Sequence, residues 1–306
     1  MSTRSRTPHG AAPLRRTRGV GRSLWWLVLP AAMTYVVVVI VPSIQGTILS
    51  FTDWSAFSLQ RTFNGLDNYI AIFRGDAGGA VLQTLIIALA TMLLMNAAGL
   101  LLALVLDGKI FGRHVLRTLI FAPVIVSPLV CGFLFKYIFG PPGIGAVNDI
   151  LVAIGLGSFQ QVWLGDPQLA IWVVILVVVW QFTGSAMVIY LAGLQAVPAE
   201  VLEAAALDGA GSVAKFWYVT RAYLAPAITI NLMLSLIGGL KIFDQIYATT
   251  QGGPAGSTET ISTLIYKQFS MLGEYGQASA LAVLLAIAVA IFSSVQFRVL
   301  RSQKGA

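Results

Sequence analysis

The stretch LAIWVVILVVVWQFTGSAMVIYLAGL, Leu169–Leu194, contains no aspartate, glutamate, lysine or arginine. A helix needs about 20 consecutive apolar residues to cross the hydrocarbon core of a bilayer, and this stretch is longer than that. Inside lipid every backbone amide and carbonyl must find a partner within the protein, which a single segment achieves only as a helix. The stretch therefore predicts a membrane-spanning α-helix.

Five further stretches of the sequence satisfy the same criterion. Together with the first they predict an all-α integral membrane protein with six transmembrane helices. Several contain proline, for example Pro30, Pro123 and Pro226, which predicts kinks or helix ends whose free backbone groups are satisfied by neighbouring helices of a bundle. The other predicted spans are Leu24–Leu49, Ala80–Leu106, Val115–Phe139, Tyr223–Tyr247 and Gln277–Phe297.

The composition excludes several classes of protein. Hydrophobic residues make up 57% of the chain and charged residues only 10%, whereas a soluble domain carries about 25% charged residues. The net charge of +7 does not indicate a nucleic-acid partner, because the basic residues lie in short clusters between apolar runs. The single Cys131 excludes a disulfide framework, and two histidines, His9 and His114, disfavour a histidine metal site. We expect no cofactor.

The distribution of lysine and arginine predicts the orientation of the spans. With six spans both termini lie on one side, which receives 14 basic residues against 3 on the other. Basic residues concentrate on the cytoplasmic side, so both termini are predicted to be cytoplasmic in a multi-pass protein of the inner membrane. The run beginning at Leu24 is too long for a signal peptide's apolar core of about 7–15 residues. The predicted organisation is a basic cytoplasmic tail 1–23, a six-helix domain 24–299 and a cytoplasmic tail 300–306.

One loop, about 195–221 between the fourth and fifth predicted helices, is patterned. Pro198 suits the first position of a helix, the alanines Ala204–Ala206 favour helix, and Gly209 favours a left-handed turn that ends it. Ser212 can cap a second short helix. That helix would present four residues on one face: Val213, Phe216, Trp217 and Thr220. The pattern predicts two short helices joined by a glycine bend, and by itself it is equally typical of an amphipathic loop that covers the bundle.

Glu203-Ala204-Ala205, with Gly209 three residues after Ala206, resembles the EAA signature of the permease subunits of binding-protein-dependent ABC importers. Further motifs resemble the carbohydrate branch of that family, which includes the maltose transporter. They are Leu191–Gln195, Pro198, Asp208–Ala210, Arg117–Leu119, Phe243–Tyr247, Gly252–Pro254 and Thr258–Thr260. Because several motifs occur in the same order as in the family, the resemblance is more specific than the EAA signature alone.

The resemblance implies that the patterned loop forms a coupling helix, which docks in a cleft of a cytoplasmic ATPase. It implies four partners: a second homologous permease, a cytoplasmic ABC ATPase dimer, an extracytoplasmic sugar-binding protein and the lipid bilayer. The coupling residues would be Glu203, Ala204, Ala205, Asp208, Gly209 and Ala210. One departure concerns the Ile-x-Leu-Pro run that usually follows in the family. Here those positions are Val219–Ala222, so the family's geometry of entry into the fifth helix is not carried over.

A sugar path requires polar groups that match hydroxyls, together with flat aromatic faces. Lys241 and Asp244 fall three apart on predicted helix five, and ionisable groups in a span normally pair or line a cavity. A structural ion pair is the alternative for these two residues, and simple packing is the alternative for Trp180 and Tyr190. The path candidates are Trp180, Gln181, Tyr190, Asn231, Ser235, Lys241, Asp244 and Gln245, with Ser185 as a further polar group. Asn96 and Lys136 are open to either interpretation.

Two other classes of function compete with the importer permease. An ion-coupled secondary transporter or channel usually carries membrane-embedded carboxylates and often inverted repeats, whereas Asp244 is the only carboxylate in the predicted spans and no repeat is visible. A membrane enzyme would need a nucleophile and base or a metal cluster within the bilayer. The chain also lacks a G-x-x-x-x-G-K-[ST] phosphate loop. We therefore expect a transport subunit that is not an enzyme, with ATP hydrolysis supplied by its partners.

Overall fold

The structure, a computed structural model, describes residues 25–302 apart from Leu59, Asp76 and Lys109. The predicted basic tail 1–23 and the last residues, 303–306, lie outside the described residues, and with them much of the charge that predicts the orientation. In chain order the α-helices are α1 (Trp25–Tyr35), α2 (Val41–Leu49), α3 (Asp67–Arg74), α4 (Ala77–Asp107), α5 (Arg113–Ile125), α6 (Pro128–Ile138), α7 (Ala146–Ala153), α8 (Pro167–Gln195), α9 (Ala199–Leu207), α10 (Ser212–Lys215), α11 (Arg221–Leu240), α12 (Asp244–Thr249), α13 (Ile261–Tyr266) and α14 (Tyr275–Ser302).

Short segments of other helical types complete this list. π-Helical turns occupy Val36–Ile40, Phe216–Thr220 and Lys267–Met271, and a 3₁₀ turn occupies Gly157–Phe159. The part of the chain that the structure describes contains no β-strand, only an isolated bridge between Thr52 and Phe63. The prediction of an all-α protein is confirmed.

Two units make up the chain, with the division between Ile48 and Leu49. α1 continues through the π-turn Val36–Ile40 into α2, whose last residue, Leu49, is the first of the second unit. The stretch Val28–Leu49 is long and apolar enough to cross a membrane. The second unit contains four more such helices: Ala77–Asp107, Pro167–Gln195, Ser212–Leu240 and Tyr275–Leu300. The α5–α6 pair supplies a sixth span if it is counted as one broken helix.

The third predicted span, Val115–Phe139, is not one continuous helix. α5 and α6 meet at a 99° bend. Val126 is extended at this point, and Ser127 has a non-helical ψ of 134°, because Pro128 disfavours the helical conformation of the residue before it. The break leaves the Val126 carbonyl without a helical partner, and the side-chain amide of Gln181 donates to it at 2.8 Å.

The fifth predicted span, Tyr223–Tyr247, is wrong at both ends. The helix begins much earlier, at Ser212, and runs to Leu240. It stops there, and α12 starts at Asp244, after three intervening residues. The break leaves the Ile242 carbonyl free, and the Thr260 hydroxyl donates to it at 3.3 Å. Buried backbone groups of this kind need partners in a membrane protein, so each interruption is matched by a polar side chain from elsewhere in the chain.

The core of the second unit forms where α4, α8 and α11 pack together. One hydrophobic cluster joins Met95 of α4, Met187 of α8 and Leu224 of α11. Gly239 permits a close approach of α11 to α4, since a Cβ there would lie 2.7 Å from the Ala88 α-carbon. Small residues at helix contacts are the usual device for close packing in membranes. This three-helix packing holds the polar residues of the candidate site in place.

Candidate functional site

Two regions contain most of the residues that the sequence selects: the loop between α8 and α11, and a cavity at the far end of α11. The structure of the loop is determined by residues that are close together in the sequence. Its first helix, α9, begins at Ala199 after Pro198, one residue later than predicted. Gly209 has φ +81°, a conformation that glycine adopts without steric cost. The amide of Gly209 donates to the Ala206 carbonyl and that of Ala210 to the Ala205 carbonyl, which together form a Schellman cap.

The side chains of this loop are largely exposed. Glu203, Ala204 and Asp208 lie at the surface, and Ala205 is half-buried. Leu207, at the end of α9, is 90% exposed. A Cβ added to Gly209 would meet nothing within 4 Å. The loop is therefore a preformed helix and turn with little packing of its own and an unpartnered apolar side chain.

The predicted second short helix of this loop does not exist as a separate element. Gly211, and not Ser212, occupies the N-cap position of α10. α10 continues through the π-turn Phe216–Thr220 into α11. The wider π-turn changes the angular spacing of the side chains. As a result Thr220 is buried while Trp217 is exposed, so the four residues predicted on one face do not share it.

The cavity has a volume of about 350 Å³ and lies among α4, α8, α11 and the start of α12. Five of the predicted path residues line it, together with Ser185. Its remaining walls are mostly apolar, from residues that the sequence reasoning did not select, such as Met95, Phe182 and Phe243. The predicted residues in its lining are Asn231, Ser235, Lys241, Asp244 and Gln245.

Three of these residues belong to buried hydrogen-bond networks. Asn96 is central to the first network: its amide donates to the Ser235 hydroxyl at 2.9 Å, and its oxygen accepts from the Tyr190 hydroxyl at 2.8 Å. Ser235 in turn donates to the Asn231 carbonyl at 2.7 Å. The Asn231 amide donates to the Ala186 carbonyl at 3.1 Å. This network joins α4, α8 and α11, so Asn96 and Tyr190 support the cavity wall from behind.

The second network connects the two broken helices. The side-chain amide of Gln245 donates to the side-chain oxygen of Gln181 at 2.9 Å. Gln181 donates in turn to the Val126 carbonyl. Both glutamines are buried. Gln181 thus contacts the break between α5 and α6 on one side and the start of α12 on the other, without lining the cavity.

The remaining predictions are placed as follows. Trp180 packs on Phe135, with 5.0 Å between ring centroids, and is outside the cavity lining. Lys241 and Asp244 do not lie on one continuous helix, because the helix breaks between them. Within the described residues they form no ion pair with each other, and the ion pair found there joins Lys267 to Glu259. The alternative of a structural ion pair is therefore wrong, and both side chains are exposed where they line the cavity.

Comparison with known proteins identifies the family. The family model described as the inner membrane component of binding-protein-dependent transport systems matches residues 95–303. The chain belongs to this family. The permease is 34% identical over 277 residues to the multiple sugar-binding transport system permease protein MsmF of Streptococcus mutans, covering 90% of this chain and 93% of that one. It is 31% identical over 287 residues to the trehalose/maltose transport system permease protein MalF of Thermococcus litoralis, covering 92% and 95%.

A solved structure shares the fold of the permease. It is a bacterial ABC transporter involved in the import of the acidic polysaccharide alginate, and one of its chains superposes with a TM-score of 0.79. The sequence identity is 22%, and the match covers 92% of this chain and 96% of that one. At this identity the likeness concerns the fold alone.

Proposed function

We propose that this permease forms the membrane path of an ATP-driven sugar importer together with a second, homologous permease subunit. A cytoplasmic ABC ATPase dimer supplies the energy, and an extracytoplasmic binding protein delivers the sugar. The observation that carries the proposal is the α9 loop. A capped helix with an exposed Leu207 and open space around Gly209 is shaped to enter a groove of another protein. Small residues at Ala204 and Ala205 permit close approach.

The orientation follows from the charge pattern of the sequence. The side that contains both termini and the α9 loop carries 14 basic residues against 3, and basic residues concentrate in the cytoplasm. The loop then faces the compartment where ATP is available. The cavity lies toward the opposite end of α11, nearer the side from which a binding protein delivers its ligand.

A single element joins the loop to the cavity. The helix from Ser212 to Leu240 is continuous over 29 residues, which corresponds to about 43 Å at 1.5 Å per residue. Its first residues follow the Gly209 turn, and its second half contributes Asn231 and Ser235 to the cavity. A displacement of the loop by an ATPase would therefore be transmitted to the cavity wall through one helix. Glu203, Asp208 and Ala210 complete the docking surface in this proposal.

The sugar class is supported by the relatives and by the chemistry of the cavity. Relatives named for sugars include, besides those above, the lactose transport system permease protein LacF of Rhizobium radiobacter, which is 32% identical over 285 residues. In this chain, hydroxyl and amide groups line the cavity beside the aromatic rings of Phe182 and Phe243. Lys241 and Asp244 add charged partners for hydroxyl groups. Trp180, Gln181 and Tyr190 then act as supports behind the wall.

Co-purification tests the proposal. The tagged chain is solubilised gently from its native membrane, and bound proteins are identified by mass spectrometry for wild type, Gly209→Asp and Gly211→Ala. Gly211 has φ −70° and an open surround, so its alanine variant is a matched control two residues away. We expect an ATPase and a second permease with wild type and control, and loss of the ATPase with Gly209→Asp. Purification of the wild-type chain alone, under several detergents, would contradict the proposal and favour an ion-driven transporter.

A further inference from the structure

The short helix α3 presents three different faces. Its first face is buried and contains Asn68 and Ile72. Its second face is exposed and apolar: Leu66, at the N-cap position, is 60% exposed, Ile70 is 44% exposed and Phe73 is 76% exposed. At 100° per residue these three side chains fall within one narrow strip. The third face is exposed and polar or small, and it consists of Asp67, Ala71 and Arg74.

Hydrogen bonds and packing fix the rotation of α3. The Asn68 amide donates to the carbonyls of Ser50 and Thr52, both at 2.8 Å. The Tyr69 hydroxyl lies 2.8 Å from the Ser50 hydroxyl. Ile72 belongs to a hydrophobic cluster that includes Leu281 and Leu285 of α14. With this face held against the bundle, the apolar strip cannot turn inward.

The position of α3 relative to the spans sets its depth. Only residues 75 and 76 separate it from α4, and the three Cα–Cα steps from Arg74 to Ala77 reach about 11 Å at most. Its packing partners Leu281 and Leu285 lie six and ten residues into α14, about 9–15 Å from the start of that helix. A helix at this level stands beside the first turns of two membrane-spanning helices. In a membrane, the exposed apolar strip would therefore lie beside the first turns of those helices.

We propose that α3 is an interfacial lipid anchor. Leu66, Ile70 and Phe73 insert at the boundary between headgroups and acyl chains, as the apolar face of an amphipathic helix does. The polar face turns toward water, and the Arg74 guanidinium reaches the phosphate level. The three faces thus have three different surroundings: protein, lipid and water. The inference rests on the membrane fold alone and is independent of the proposed transport function.

The anchor also sets the depth of a larger part of the permease. Through Asn68 and Ile72, α3 connects the segment around Ser50 to α13 and α14, because Ile261 of α13 belongs to the same hydrophobic cluster. Lipid contact along the strip would hold α3 and these connected segments at a fixed depth in the bilayer. A fixed depth is useful in a protein whose helices move relative to each other.

Depth-dependent fluorescence quenching tests the proposal on the full chain in lipid nanodiscs. Phe73→Cys and Ala71→Cys are each labelled with an environment-sensitive dye. Both positions are exposed on the same helix and about 160° apart around it, and the only native cysteine, Cys131, is buried. We expect a blue-shifted emission for the label at position 73, quenched by lipids that carry a shallow spin label and not by aqueous iodide. The label at position 71 should show the reverse pattern.

Two results would overturn the proposal. Equal quenching of both labels by iodide would show that the strip faces water. Shielding of the label at position 73 from both iodide and spin-labelled lipid would show that another protein surface covers it, and the occupant would then be a subunit and not lipid. Labelling Ile70→Cys provides a second position on the same strip, so that the result does not depend on one substitution.

Discussion

The α9 loop and the cavity at the far end of α11 differ in what surrounds their side chains. In the loop, Glu203 and Leu207 are exposed, and the space around Gly209 is open. In the cavity wall, Ser235 and Gln245 are buried and hydrogen-bonded to other helices. The loop therefore presents an exposed surface, whereas the buried polar groups of the cavity wall are hydrogen-bonded within the protein.

Because of this difference, we expect substitutions in the loop and in the cavity wall to affect transport and stability differently. A substitution in the loop removes contacts that the chain makes only with something outside it, so it should change transport and leave the bundle intact. A substitution in the buried wall leaves polar groups without partners, which costs about 1–3 kcal/mol for each group, so it should change stability as well. We therefore expect substitutions in the two regions to have effects of different kind and size.

The largest effect is expected for Gly209→Asp. An aspartate at this position places a carboxylate in the proposed docking surface and a side chain where φ is +81°. Burial of an unpaired carboxylate is costly, and each 1.4 kcal/mol of lost binding reduces affinity about tenfold. We therefore expect sugar uptake to fall by about tenfold or more. Membrane insertion and the thermal unfolding midpoint in detergent should stay close to wild type.

The control for this variant is Gly211→Ala, which should retain uptake because its backbone conformation suits any residue. Normal uptake by Gly209→Asp would remove the case for a coupling role of the loop. A large drop in the unfolding midpoint would instead show that the loop is part of the core, contrary to the comparison above.

The second effect concerns the network behind the cavity. Asn96→Ala removes the acceptor of the Tyr190 hydroxyl, whereas the Ser235 hydroxyl loses one bond and keeps its bond to the Asn231 carbonyl. One buried group is left without its partner, so we expect a destabilisation of about 1–3 kcal/mol, measured as the free energy of unfolding in mixed micelles. Thr229→Ala is the control on α11, because Thr229 bonds only to the Ala225 carbonyl of its own helix. Equal effects of the two variants would mean that the network carries no special stability.

The fold and the loop could be predicted because their signals are local. Long apolar stretches predict spans directly, and the bounds of α8, Pro167–Gln195, differ from the predicted Leu169–Leu194 by only a residue or two. The turn at Gly209 also depends on adjacent residues, since alanines favour the helix and glycine ends it. The error in this region, the missing second helix, arose where the π-turn Phe216–Thr220 replaced the expected helical spacing.

The cavity could be predicted only in part because its construction is not local. Asn231, Ser235 and Gln245 were selected as polar residues in an apolar stretch, and the structure brings them to one wall. The helix break after Leu240 was missed, because the polar residue that compensates for it, Thr260, lies far along the chain. Asn96 was left open for the same reason: its partners are on two other helices. The hydropathy of the sequence does not indicate which polar residues pair across different helices.

The third prediction concerns the exposed charges of the cavity. Asp244 lines the cavity and forms no ion pair with Lys241, so Asp244→Asn should leave the unfolding midpoint unchanged. A hydrogen bond to a charged group contributes about 1 kcal/mol more than one to a neutral group, which corresponds to about a fivefold rise in the KM of uptake. Uptake titrations in proteoliposomes with the cognate binding protein measure it. An unchanged KM would place Asp244 outside the path and leave the cavity to its neutral residues.

The smallest effect is expected for the contact between the two broken helices. Gln181 and Gln245 form a side-chain hydrogen bond at 2.9 Å, and interhelical hydrogen bonds in membrane proteins contribute about 0.6 kcal/mol on average. A double-mutant cycle with Gln181→Leu and Gln245→Leu isolates that contribution, since the effect of Gln181→Leu on the Val126 carbonyl cancels in the cycle. We expect a coupling of about this size in the free energy of unfolding, together with an equal or larger coupling in transport rate. A coupling in stability without one in transport would mean that the hydrogen bond between the two breaks contributes to the stability of the fold and not to transport. A coupling in both would show that the wall, unlike the loop, serves stability and function through the same bond.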